Sequence, residues 1–86
     1  MFTVGDIVYV NKQGRSSYVG KGNVTAVCRT LTELHEYFQE EHPFYDTYVS
    51  WIKKEKSVYI VELESSIGKA GFLEEELTHE LIGSSL

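Results

Sequence analysis

Cys28, His35, His42 and His79 are the side chains of this sequence that could grip a transition metal or run a nucleophilic reaction. A zinc site needs three or four such ligands converging on one point, and helical zinc motifs place two histidines at i and i+4. His35 and His42 stand at i and i+7, which on a helix separates them by about 10.5 Å along the axis. One ion cannot span that gap, so both read as surface or cap-adjacent polar groups. Cys28 could pair with a histidine as a nucleophile, but no cysteine-nucleophile signature surrounds it. It reads instead as a small, inert, inward-facing hydrophobe. None of the 13 acidic residues falls in a pocket pattern suited to general acid–base work. The chemistry-bearing residues therefore predict a protein that is not an enzyme and holds neither a metal nor a cofactor.

The glycines of Tyr18-Val-Gly-Lys-Gly-Asn-Val24 raise the question of phosphate binding. A phosphate loop needs Gly, four residues, then Gly-Lys-Ser/Thr, and a helix whose N-terminus faces the phosphates. Here Gly22 replaces the hydroxyl residue, and Asn23 to Cys28 alternate as a strand does. The segment is read as a glycine turn with positive φ and close backbone approach, leading into a β-strand. Lys21 becomes a solvent-facing loop charge.

At 86 residues the chain is a single domain with a small core. Hydrophobic residues make up 42% of it, with six Tyr, four Phe and one Trp, enough aromatic area to hold such a core together. With one cysteine no intrachain disulfide forms, which favours a reducing compartment. No apolar run approaches the roughly 20 residues of a membrane span. MFTVGDIVYV lacks a basic leader and a small-residue cleavage site, so the expected location is the cytoplasm. Net charge is −5 and unevenly spread. Residues 1–29 carry Lys12, Arg15, Lys21 and Arg29 against Asp6 alone, whereas residues 30–52 carry Glu33, Glu36, Glu40, Glu41 and Asp46 with no Lys or Arg. The acidic balance disfavours general nucleic-acid binding, and the basic N-terminal third keeps a local exception open.

The elements that must position these groups follow from pattern. Ile7–Val10 reads as a strand, Asn11 to Gly22 as a loop, and Val24, Ala26 and Cys28 as the inward positions of a second strand. Thr30-Leu-Thr-Glu33 fits a capping box, and Leu31, Leu34 and Phe38 form one apolar stripe, so a helix is expected over residues 31–42, stopped by Pro43. The composition of residues 45–53 (YDTYVSWIK) and 57–64 (SVYIVELE) predicts two strands in a hairpin across Lys54-Glu55-Lys56. Residues 65–71 read as a turn, and Glu74-Glu75-Glu76 as a solvated turn or single helical turn between Leu73 and Leu77.

Val4-Gly5-Asp6-Ile7-Val8-Tyr9-Val10 followed by Gly20-Lys21-Gly22-Asn23-Val24 resembles the opening strands of SH3-like barrels of the KOW type. Val61-Glu62-Leu63, Gly68-Lys69-Ala70-Gly71-Phe72-Leu73 and Glu76-Leu77 are similar to their closing strands. The resemblance covers residues 4–27 and 57–78. It implies a mostly β chain folded as a small SH3-like barrel of about five strands, one domain over residues 1–86, with residues 30–53 inserted into it.

Function is expected at that insertion, since rigid scaffolds commonly place binding residues on their loops. Glu33, Glu36 and Glu40 with Tyr45, Tyr48 and Trp51 are the candidate contacts to a protein partner with a basic surface. Two other readings stay open. A KOW-like nucleic-acid or ribonucleoprotein contact would use Lys12, Arg15, Tyr18 and Lys21 on the first loop. An acidic mimic of nucleic-acid charge, inhibiting a bacterial or phage-targeted protein, would use the carboxylates of 33–46 and 74–80. An edge strand of the hairpin could also pair two copies into a homodimer.

Overall fold

A computed structural model describes residues 2–11, 19–64 and 68–79. The chain is mostly β: a five-stranded antiparallel sheet with strand order β4-β3-β2-β1-β5. Its strands are β1 (Ile7–Asn11), β2 (Val19–Cys28), β3 (Val58–Leu63), β4 (Gly68–Phe72) and β5 (Leu77–Thr78). Two helices, α1 (Leu31–His35) and α2 (Tyr45–Lys53), lie between β2 and β3, and a 3₁₀ turn at Glu74–Glu76 precedes β5.

Side chains alternate across a strand, and this sheet buries apolar residues on both faces. One face gathers Phe2, Val8, Val10, Val24, Tyr59, Val61, Leu63, Phe72 and Leu77 into a core to which every strand contributes. The other face carries Ala26, Cys28, Val58 and Ile60, which pack against Leu34, Phe38 and Tyr48 from the helical segment. β3 serves both cores by strict alternation, with Tyr59, Val61 and Leu63 on one side and Val58 and Ile60 on the other.

β2 does not alternate strictly. Val24 pairs with Val61 and Ala26 with Ile60, so a bulge at Thr25 shifts the register. A bulge moves all later side chains to the opposite face. Val24 therefore enters the first core, while Ala26 and Cys28 enter the second. The expected common face for Val24, Ala26 and Cys28 is corrected accordingly, although Cys28 is fully buried as anticipated.

Glycine 22 lies inside β2 and not in a turn before it, and positive φ among the described glycines occurs at Gly5 and Gly68. Close approach is what Gly22 needs: a Cβ there would collide with the Glu62 carbonyl oxygen and stand 2.8 Å from Val61 Cγ1.

The largest departure from the sequence reading is residues 45–53. They form α2, not a strand, and no hairpin spans residues 54–56. Tyr45, Tyr48, Val49 and Ile52 recur at i, i+3, i+4 and i+7, and these are the residues that meet the second core. Periodicity outweighed the β propensity of Tyr, Val, Trp and Ile, because packing on a sheet rewards a continuous face more than propensity opposes it. The homodimer route through a hairpin edge strand disappears with the hairpin. β4 forms from Gly68–Phe72, in a stretch whose glycines suggested a turn.

The helix expected over 31–42 is shorter, ending at His35. Its capping box is present: the Thr30 hydroxyl accepts from the Glu33 N–H at 3.2 Å, and Glu33 Oε1 accepts from the Thr30 N–H at 3.2 Å. At the other end, Gln39 Nε2 donates to the His35 carbonyl at 3.0 Å. That side-chain amide takes the acceptor a continuing helix would give to the residue 39 backbone N–H, and the chain turns away toward Pro43.

Candidate functional site

The helical segment is fixed to the sheet through Tyr48, Leu34 and Phe38, all buried. The Tyr48 hydroxyl oxygen accepts a hydrogen bond from the Gly71 N–H of the edge strand β4 at 2.9 Å. Burial pushes the Tyr48 phenol up in pKa, with the Gly71 N–H pulling it partly back and Glu76 adding to the rise. Around Tyr48 the rings of Phe38, His42, Phe44 and Trp51 gather at centroid distances of 4.9, 5.7, 6.5 and 5.5 Å. Tyr48 belongs to the second core beneath the helical segment, whereas Phe44 is 56% exposed.

The six candidate protein-contact residues divide by their surroundings. Glu33 is spent on backbone N–H groups, accepting from Arg29 at 2.7 Å as well as from Thr30. Tyr48 is a core residue. Trp51 is half-buried against Tyr48, and Tyr45 is half-buried with its ring stacked on His35 at 5.6 Å and its hydroxyl 2.6 Å from His35 Nε2. Glu36 and Glu40 are exposed. Glu40, Glu41, Gln39 and His35 line a shallow cleft of about 220 Å³.

Of the candidate nucleic-acid contacts, Lys12, Arg15 and Tyr18 lie outside the described residues. Lys21 is exposed on β2, 3.9 Å from the Glu64 carboxylate and 5.9 Å from the centre of the Tyr9 ring. Its charge is already opposed by a neighbour.

Cys28 does not have the surroundings of a nucleophile. Burial, with added repulsion from Glu33 and Glu36, pushes its thiol up to about 11, which disfavours the thiolate that would react. Among the described residues no three His, Cys, Asp or Glu side chains are grouped as metal ligands, and no helix is long and apolar enough to cross a membrane.

Phe44 stands outside the six candidate contacts, and His42, expected as a surface or cap-adjacent polar group, adjoins it. His42 Nδ1 accepts the Phe44 N–H at 3.1 Å, so the imidazole organises the turn that opens α2. A helical reading of 45–53 would have exposed the signal, because it places a phenylalanine where a capping residue belongs. No family model, no curated protein and no solved structure matches this chain.

Proposed function

We propose that this chain is a non-catalytic binding module on an SH3-like scaffold, which docks a protein partner with a basic surface through the helical segment between β2 and β3. The strand order supports the scaffold. The two stretches that resemble the opening of KOW-type barrels pair as β1 and β2, and β3, β4, the 3₁₀ turn and β5 follow in the order of the closing stretches. The SH3-like reading extends this sheet to a barrel in which β4 and β5, its two edges, approach one another.

The observation that carries the binding reading is the two-sidedness of the inserted segment. Its inner side is locked to the sheet by Leu34, Phe38 and Tyr48, while its outer side presents Glu36, Glu40, Glu41 and Asp46. A rigid element with carboxylates on its outer surface favours basic partners and repels phosphate backbones. The expected Tyr/Trp strand is replaced here by α2, with Tyr45 and Trp51 at half-buried positions.

Affinity capture with mass spectrometry, followed by binding measurements on the purified candidate, tests this reading. The expected result is a partner whose affinity falls with salt and falls further in the charge-reversal variant E36K/E40K. Tight binding of RNA or DNA oligonucleotides, unaffected by E36K/E40K, would move the function to the basic stretch containing Lys12 and Arg15 instead.

A further inference from the structure

Phe44 occupies a position that stability alone would give to another residue. It is the N-cap of α2, with φ −106° and ψ 14°, and makes no side-chain capping hydrogen bond. Ser, Thr, Asp or Asn is the usual choice at a helix N-cap, where a side-chain oxygen can meet the free N–H groups of the first turn. The residue is also 56% exposed, among the most exposed large apolar residues described. The position thus gives up a cap and leaves an aromatic ring in water. Local rules broken together in this way mark functional positions more often than structural ones.

The setting of the ring is ordered. The Phe44 N–H is held by His42 Nδ1, and the ring lies 5.9 Å from His42 and 6.5 Å from the buried Tyr48. A pre-positioned aromatic side chain loses little conformational freedom on binding, which is the property of an interface anchor. Glu40, Glu41 and Asp46 lie within four residues of Phe44, and no Lys or Arg occurs between Arg29 and Lys53.

We infer that Phe44 is the anchor of the proposed protein interface, and that it inserts into an apolar pocket rimmed by Lys or Arg side chains on the partner. The inference rests on the binding reading above and sharpens it: the partner's contact segment combines apolar and cationic side chains, and His42 and Tyr48 flank the anchor. The partner is a basic protein segment, neither a nucleic acid nor a second copy of this acidic chain.

The test is an NMR titration of the ¹⁵N-labelled protein at low salt with a short amphipathic Lys/Leu peptide, and separately with an oligolysine of equal charge. The Lys/Leu peptide should bind more tightly, with the largest amide shifts at Phe44 and its neighbours from 40 to 46. F44S should weaken it at least about tenfold while melting near the wild-type temperature, because the side chain it truncates is more than half exposed. Loss of binding without loss of stability separates an anchor from a packing residue.

Equal affinity of F44S and wild type, equal affinity of the two peptides, or no binding of either overturns the inference. So does a concentration-dependent dimer that F44S abolishes. Shifts confined to residues 30–53 but indifferent to F44S remove the anchor and leave the binding reading standing. Shifts centred elsewhere, or preference for an oligonucleotide, remove both.

Discussion

The hydroxyl of Tyr48 and the backbone N–H of Gly71 meet at 2.9 Å, joining the middle of α2 to the edge of the sheet. Gly71 belongs to β4, whose other side pairs with β3, so the tyrosine satisfies an outward-facing donor that the ladder leaves open. The contact also explains the glycine. A Cβ at position 71 would stand 2.9 Å from Tyr48 Cε1 and 2.7 Å from Val58 Cγ1.

Two substitutions test this joint. Y48F removes the acceptor and leaves a buried N–H unsatisfied, at an expected cost of about 1–3 kcal/mol. G71A overpacks the same spot, with an expected cost of about 1–3 kcal/mol. The two sites are in contact, so their effects should not add. G71A should be less harmful in a Y48A background, where the ring it strikes is gone. Chemical denaturation of wild type, Y48A, G71A and Y48A/G71A measures the coupling, and additive effects would show that the contact is not what fixes the glycine.

This joint also shows what the sequence conveyed and what it withheld. The capping box at Thr30 and Glu33, the strand at Ile7–Val10 and the burial of Cys28 were all legible, because each depends on neighbours within a few residues. The bulge at Thr25 was not, since it is set by pairing with β3 more than 30 positions away. Gly68 to Gly71 looked like a turn because the reason for Gly71, a tyrosine from another element, is invisible locally. Residues 45–53 carried two signals, β composition and helical spacing, and only the core beneath them decides between the two. The candidate site suffered most from that choice. Reading a strand offered Tyr48 and Trp51 alike as contact residues and hid the capping position of Phe44.

Glu55 makes a separate prediction about the end of α2. It adopts φ 65°, the left-handed conformation that glycine tolerates and other residues resist. The Glu55 N–H bonds the Ile52 carbonyl at 2.9 Å and the Lys56 N–H bonds the Trp51 carbonyl at 3.0 Å, the paired bonds of a Schellman motif. E55G should therefore stabilise the protein by about 1 kcal/mol, a rise of roughly 4–8 °C in melting temperature for a chain of this size. A lower melting temperature for E55G would mean that the glutamate side chain contributes more than its backbone costs.

Cys28 should resist modification in the folded protein. Its ordinary thiol value of 9.0 is raised to about 11, and the side chain is fully buried. The raised value alone lowers the thiolate fraction near neutral pH by roughly a hundredfold, and only the thiolate reacts readily. Labelling with iodoacetamide should be slow under native conditions and fast in denaturant. A native labelling rate close to that of a free thiol would contradict the packing of Cys28 against Leu34 and Phe38.

Asp6 gives the chain a predictable acid limb. Its carboxylate accepts the Thr3 N–H at 2.9 Å and the Thr3 hydroxyl at 3.3 Å, and lies 3.2 Å from His79 Nε2. The Thr3 N–H, followed by the His79 contact, holds its pKa below the ordinary value of 3.8. A carboxylate with a lowered folded value binds protons more readily when unfolded. Its contribution is thus complete well above pH 3.8 and fades as the pH falls through that value toward the lower folded one. D6N removes this dependence and also breaks the link between the turn before β1 and the residue following β5. Wild type and D6N should differ in stability near neutral pH, and the difference should shrink in acid as wild-type Asp6 becomes protonated. Thermal melts across that range measure it, and a gap that widened toward low pH would show that Asp6 is not held as a carboxylate by Thr3 and His79.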